Sequence, residues 1–266
     1  MDYETPAPHL VVARAYEPPS ATHGLRVLID RLWPRGLRRD AAAIDLWLRD
    51  IAPSAALRSW FAHEPARWTS FVERYHAELD ANPAMVERLC GLLRAHGSVT
   101  LLVGARDPEH NHGVALLRYL LQPTGSVAPV GDDEARQALR ERLLREHARL
   151  LELMTDVRLA LLAGHVDAAC ALFDELGSLH HSHAAEEDAR LLPRLPRCAR
   201  WPQRVYEAEH RKLLQLAQQL HARLQAAPAR LRDPRRRLRL VDEALPLQHL
   251  MEHHFAREEQ GLLRET

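Results

Sequence analysis

The sequence predicts two folds in one chain: a small α/β domain with a largely parallel sheet, followed by an all-α, up-down four-helix bundle. Three observations carry this. Short runs rich in Val, Leu and Ile alternate with amphipathic stretches over the first 121 residues. A Pro- and Gly-rich segment, QPTGSVAPVGDD (122–133), then reads as a linker. From Glu134 to the end the strand-like runs cease and apolar residues recur at helical spacing four times over.

Taken in order, HLVVARAY (9–16), LRVLID (25–30) and VTLLVGA (99–105) are short and apolar enough to be buried strands. Between about Ala41 and Ala95, stretches punctuated by Pro53, Pro65 and Pro83 read as several helices, and a last helix follows near residues 110–121. Strands alternating with helices imply a parallel sheet, which gives a domain over 1–121. In the second domain, 134–266, the helix breaks are marked by Gly164, by Pro193 and Pro196, by Pro202, and by Asp233-Pro234, an N-cap followed by an N1 proline. Short connections between long amphipathic helices favour antiparallel neighbours. Pro246 lies inside the fourth helical pattern, where a kink or restart is expected.

Composition narrows the function. Lys+Arg and Asp+Glu both number 36, so no overall field recruits nucleic acid or an anionic membrane, and the Arg run PRRRLRLVDE reads as a solvated helix face. The N-terminal residues carry no signal-peptide pattern and no stretch is apolar enough to span a bilayer, so a cytoplasmic protein is expected. Cys90, Cys170 and Cys198 lack C-x-x-C spacing and are expected to be small buried hydrophobes rather than a disulfide framework or thiolate site.

The strongest chemical signal is a repeated phrase. HSHAAEEDARLLP (181–193) and HHFAREEQGLL (253–263) each hold a His, a Glu four residues on, and an acidic neighbour: His183/Glu187/Asp188 and His254/Glu258/Glu259. Residues four apart share a helix face, and these faces also carry Leu179 and Leu191, or Leu250 and Leu262, so the polar pairs turn toward the core. Buried charge there needs a counter-charge. The other two helices each offer a His at an apolar register, His147 and His210. A lone core histidine is ordinarily just hydrogen-bonded, but one on every helix, two with a Glu beside them, reads as a metal site. Imidazoles and carboxylates without thiolate suit iron or manganese and also fit zinc.

Residues 134–266, through His147, HAAEEDARLLP, EAEH and HFAREEQGLL, resemble the haemerythrin-like, HHE cation-binding domains. That resemblance implies a non-haem, oxo-bridged di-iron centre with His147, His183, His210 and His254 as terminal ligands and Glu187 and Glu258 as bridges; manganese or zinc are the alternatives. The oxygen-carrier pattern is incomplete, because Tyr206 stands four before His210 where carriers have His, and the last segment is His254-x-x-x-Glu258 rather than His-x-x-x-x-Asp. Such a ligand set fills roughly ten of about twelve positions on two irons and leaves about two open. An open site points to sensing of O2, NO, redox state or iron; the alternative is an enzyme reducing NO or peroxide with a partner reductant, or repairing iron-sulfur clusters. His165, His180 and Tyr206 are candidate additional ligands or hydrogen-bonding neighbours of the ligands.

The first domain shows no Walker loop, G-x-G-x-x-G or nucleophile elbow. Polar residues instead follow two of its strands, DRLWPRGLRR after RVLI and ARDPEHNHG after TLLV. Ligands of open α/β sheets bind beyond the carboxyl ends of the strands, so Asp30, Arg31, Arg35, Arg106, Asp107, His110 and Asn111 are candidates for an anion pocket, against the alternative of a structural ion-pair network. RAYEPP, RVLIDRLWPRGL, DLWLRDIAPS, LRSWFAHEPARW and ARDPEHNHGVALL resemble the bacterial YeaO-like family, domain of unknown function 488, over residues 8–121. That family implies no established reaction.

Overall fold

The computed structural model describes residues 9–19, 24–39, 42–125 and 133–266. Its contacts divide into two compact units, one of residues 1–122 with 196–200, the other of 123–195 with 201–266. Most of the expected linker, residues 126–132, lies outside the described residues. Among the described residues no helix is long and apolar enough to cross a membrane.

In the first unit, strands β1 (His9–Arg14), β2 (Leu25–Leu28), β3 (Leu46–Trp47) and β4 (Ser98–Val103) form one sheet in the order β1-β4-β2-β3, parallel throughout. Strand β4 is central, with Leu101 opposite both Val12 and Val27, and its apolar run is buried on both faces as a parallel strand requires. The two-residue β3 falls inside the stretch expected to be helical; it is too short to show alternation in the sequence.

Period-two alternation sorts the strand side chains between two cores. Val27, Val99, Leu101 and Val103 face a core made with helices α1 (Ala55–Phe61), α2 (Trp68–Asp80), α3 (Pro83–His96) and α4 (His112–Leu121). Leu28 and Leu102 face the other way, covered by Trp33, Leu37, Ile44 and Trp47. Local chemistry bounds the helices: Ser54 caps α1 by accepting from Leu57 N–H, Pro83 opens α3, and Gly97, at φ +70°, closes it. Residues 196–200 return to this unit, where Arg197 lies over the Tyr119 ring at 4.1 Å and Cys198 N–H donates to Leu120 O. Cys198 is disulfide-bonded to Cys90 of α3, with Cα atoms 4.8 Å apart, which corrects the expectation of unpaired cysteines; Cys170 alone is free. A partner 108 residues away leaves no spacing signal.

The second unit consists of α5 (Asp133–Ala163), α6 (Val166–Arg190), α7 (Gln203–Gln225), α8 (Pro234–Gln260) and the short α9 (Leu262–Glu265). Helix α5 packs against α6 and α8, and α7 packs against the same two. Each buries one stripe; on α5 it runs Leu139, Leu143, His147, Leu150, Met154, Val157 and Leu161, with the histidine in register with the leucines. The α5–α6 and α7–α8 turns meet at one end through Leu231 N–H to Gly164 O and Val166 N–H to Ala229 O. Gly164 adopts φ +81°, and a Cβ there would lie 2.2 Å from Leu231 O. Asp233 caps α8 by accepting from Arg235 N–H. Helix α8 continues through Pro246 with no restart, because the proline and Asp242, whose carbonyl loses its donor, both face solvent.

Candidate metal centre

The apolar stripes of α5–α8 are each interrupted at the same level by ligand-type side chains. His147, His183, Glu187 and Glu258 offer atoms all within 4.8 Å of one another, and so do Glu187, His210, His254 and Glu258. The two sets share both glutamates. His147, His183, Glu187, His254 and Glu258 are buried, and the His210 side chain is 9 % exposed. His147 Nε2 and His183 Nε2 are 3.1 Å apart, and Phe255 lies flat against the His147 ring at 4.4 Å.

Every imidazole is held from behind by an acidic residue on a neighbouring helix. Nδ1 of His183 (α6) lies 2.8 Å from Glu146 (α5), that of His210 (α7) 3.0 Å from Asp188 (α6), that of His254 (α8) 3.0 Å from Glu209 (α7), and that of His147 (α5) 3.0 Å from Glu259 (α8). The contacts close a ring around the four helices. A carboxylate only accepts, so each Nδ1 donates and each Nε2 is directed inward. Glu146 and Glu209 are themselves paired with Arg142 and Arg257.

The inner atoms are left without partners. Both oxygens of Glu187 and of Glu258, and Nε2 of His210 and His254, are buried and make no hydrogen bond. Some approach closely, as His254 Nε2 does at 2.8 Å from Glu258 Oε1, but without hydrogen-bonding geometry. Proton affinities register the same imbalance. Burial, then the neighbouring Glu258, pushes the Glu187 carboxyl up to about 8. Burial also opposes charge on Glu258, yet His254, His147 and His210 hold it well below the usual carboxylate range. Burial works against a charged His210, but Glu187 and Glu258 drive it up to about 10. Two carboxylates in a dry pocket demand positive charge, and two sets of inward nitrogens and oxygens are the donor array that a pair of borderline or hard cations takes.

The remaining candidates separate. His180, half-buried one turn before His183, is pushed down to about 4 by burial and by the other histidines; with His210, Leu213 and Met251 it lines a cavity of about 300 Å³. Tyr206 is buried and its hydroxyl accepts from Leu262 N–H, with its own proton affinity raised by burial. His165 is exposed at the start of α6, eighteen residues before His183, about 27 Å along the helix and out of reach of the cluster. Glu146 and Glu209 escaped the sequence reading, although each directly precedes a ligand-type histidine, His147 or His210.

At the strand ends of the first unit, Asp30, Arg31, Arg35, Arg106 and Asn111 line one cavity of about 600 Å³, which Asp107 and His110 do not. Asn111 is engaged structurally: its side chain caps α4 by accepting from Val114 N–H and donates to the carbonyls of Asp107 and Pro108. Asp107 accepts from the backbone N–H of His110 and Glu109, which lowers its proton affinity, and pairs with the His110 ring. His110 packs edge-on to Trp68.

Comparison with known proteins bears on this unit. Residues 9–138 match the family model described as the inactive DUF488-N3 subclade. Uncharacterised proteins of Mycobacterium tuberculosis and Mycobacterium bovis are each 38 % identical over 109 residues, which span 41 % of this chain and 91 % of the relative. The uncharacterised protein YeaO of Escherichia coli is 36 % identical over 107 residues, 40 % of this chain and 92 % of YeaO. No solved structure matches the chain. These relatives cover the part of the chain that holds the parallel sheet and its strand-end cavity, and through it the chain belongs to the DUF488, YeaO-like family.

Proposed function

We propose that α5–α8 form an up-down, haemerythrin-like four-helix bundle that holds two metal ions, iron in the first place, and that the bound pair senses or responds to O2, NO, redox state or iron. The observation that carries this reading is the double shell: six inward atoms without hydrogen-bond partners, four carboxylate oxygens and two imidazole nitrogens, with an outer carboxylate on each imidazole. His147 and His183 would terminate one side, His210 and His254 the other, with Glu187 and Glu258 between. A bound iron pair supplies one- and two-electron chemistry and open positions for a small ligand. The chain's own part is to fix four imidazole tautomers, keep the pair dry behind Phe255, and leave the apolar cavity at His180 and His210 as the approach for a diatomic gas. Nothing in this reading requires nucleic acid or a membrane.

The cavity beside His210 also favours a second reading, an enzyme that reduces NO or peroxide or serves cluster repair. Turnover separates the two, because a sensor saturates at one ligand per site and an enzyme consumes substrate repeatedly with a reductant. The first unit is read as a non-catalytic partner, in keeping with the inactive subclade that its family model describes. The test is elemental analysis of protein purified without added metal. About two irons per chain are expected, falling sharply in His183→Ala and Glu258→Ala; zinc in their place removes the redox reading, and wild-type metal content in both variants removes the ligand assignment.

A further inference from the structure

The cavity of about 600 Å³ at the strand ends of the first unit is built by four guanidinium-bearing side chains from separate segments: Arg31 and Arg35 from the loop after β2, Arg58 from α1, and Arg106 from the loop after β4. Because β2 and β4 are adjacent and parallel, both loops leave the sheet at the same, carboxyl end. Four cations around one concavity repel one another unless something anionic sits between them, and the protein supplies little. None of the four has a carboxylate partner among the described residues; Arg31 donates only to Pro53 O, at 3.3 Å. Asp30, the one acid in the wall, is already engaged: Oδ2 accepts from Gly104 N–H at 2.7 Å, and Oδ1 lies 3.2 Å from His112 Nε2.

Three further features make this a shaped site. Tyr16 ties the rim together by donating to Arg35 O. The α1 exit holds two consecutive non-glycine residues in the left-handed region, Ala62 at φ 46° and His63 at φ 57°, and His63 lines the cavity. Strain of this kind persists where the surroundings impose it, commonly at ligand sites. Phe61, Phe71, Ala52 and Pro53 supply an apolar floor, and helix α4 begins in the wall at Asn111 and His112, presenting the positive end of its dipole.

We propose that this cavity binds a small organic phosphate, the phosphate held by the arginines at the mouth and the organic body lying on the Phe61/Phe71 floor. Several forked donors converging beside a helix N-terminus match the three oxygens and double charge of a phosphate ester better than a single carboxylate. The volume is that of a site for a molecule of nucleotide size or smaller. The proposal stands apart from the metal reading, since every residue it uses lies in the first unit.

Calorimetric titration of the full chain with AMP and with inorganic phosphate tests it, adenosine and malonate serving as controls. Binding of at least one phosphate probe is expected, with adenosine and malonate weaker. Arg31→Gln and Arg106→Gln, each removing the guanidinium charge while leaving a polar side chain, are expected to weaken binding about tenfold or more while metal content and thermal stability stay unchanged. Failure of both phosphate probes to bind, malonate binding more tightly than either, or variants that bind like the wild type would overturn the proposal.

Discussion

Glu209 accepts from His254 and from Arg257 without being one of the six inner side chains, so it isolates what the outer acids contribute. Glu209→Gln is expected to leave the helices folded and weaken metal retention about 10- to 100-fold, measured by competition with a chelator; retention equal to wild type would mean the ring of outer acids is decoration. Tyr206→Phe strands the buried Leu262 N–H and is expected to cost about 1–3 kcal/mol in urea unfolding without changing metal stoichiometry. Four of the inner six were legible because His-x-x-x-Glu puts two ligand types on one face and both phrases recur beside leucines, and His147 and His210 because each stands at an apolar register of its helix. The role of the outer four was not, although Asp188 and Glu259 stand out in the sequence as acidic neighbours, since each sits about 100° around its own helix from the adjacent ligand-type residue and serves the next helix, a relation that only packing creates.

At the level of elements, the α5–α6 turn is the most constrained point of the helical unit. Gly164→Ala forces a Cβ into Leu231 O and a side chain into a left-handed backbone. The expected loss is about 1–3 kcal/mol, read by urea unfolding, with the parallel-sheet unit unaffected; an unchanged midpoint would show that the two turns are not locked together. Proline and glycine punctuation made the ends of α5–α8 readable, and apolar runs did the same for β1, β2 and β4. Strand β3 was hidden because two residues cannot show a period, and its place in the sheet depends on pairing with Val27 and Leu28. At Pro246 no restart occurs because the cost of a helical proline depends on which way it faces, and the sequence pattern gives its position but not the exposure of Asp242.

For the whole molecule, the Cys90–Cys198 bond is the covalent fact that composition argued against. Closing a loop across 108 positions, it is expected to stabilise the first unit by about 2–4 kcal/mol. Cys198→Ser and reduction of the wild type should therefore lower that unit's melting temperature alike, and reductant should not affect the variant; independence of both would show the bond to be idle. In a reducing compartment the same pair would rest as thiols, making the attachment of residues 196–200 responsive to oxidation. That returning segment has a practical corollary. A single cut after Gln122 leaves the first fragment without the arginine that covers Tyr119 and without a mate for Cys90, and leaves the second with an orphan thiol. The chain thus has one seam when read as text and more than one when followed in space, so expressing or exchanging its halves calls for transplanting a five-residue graft as well.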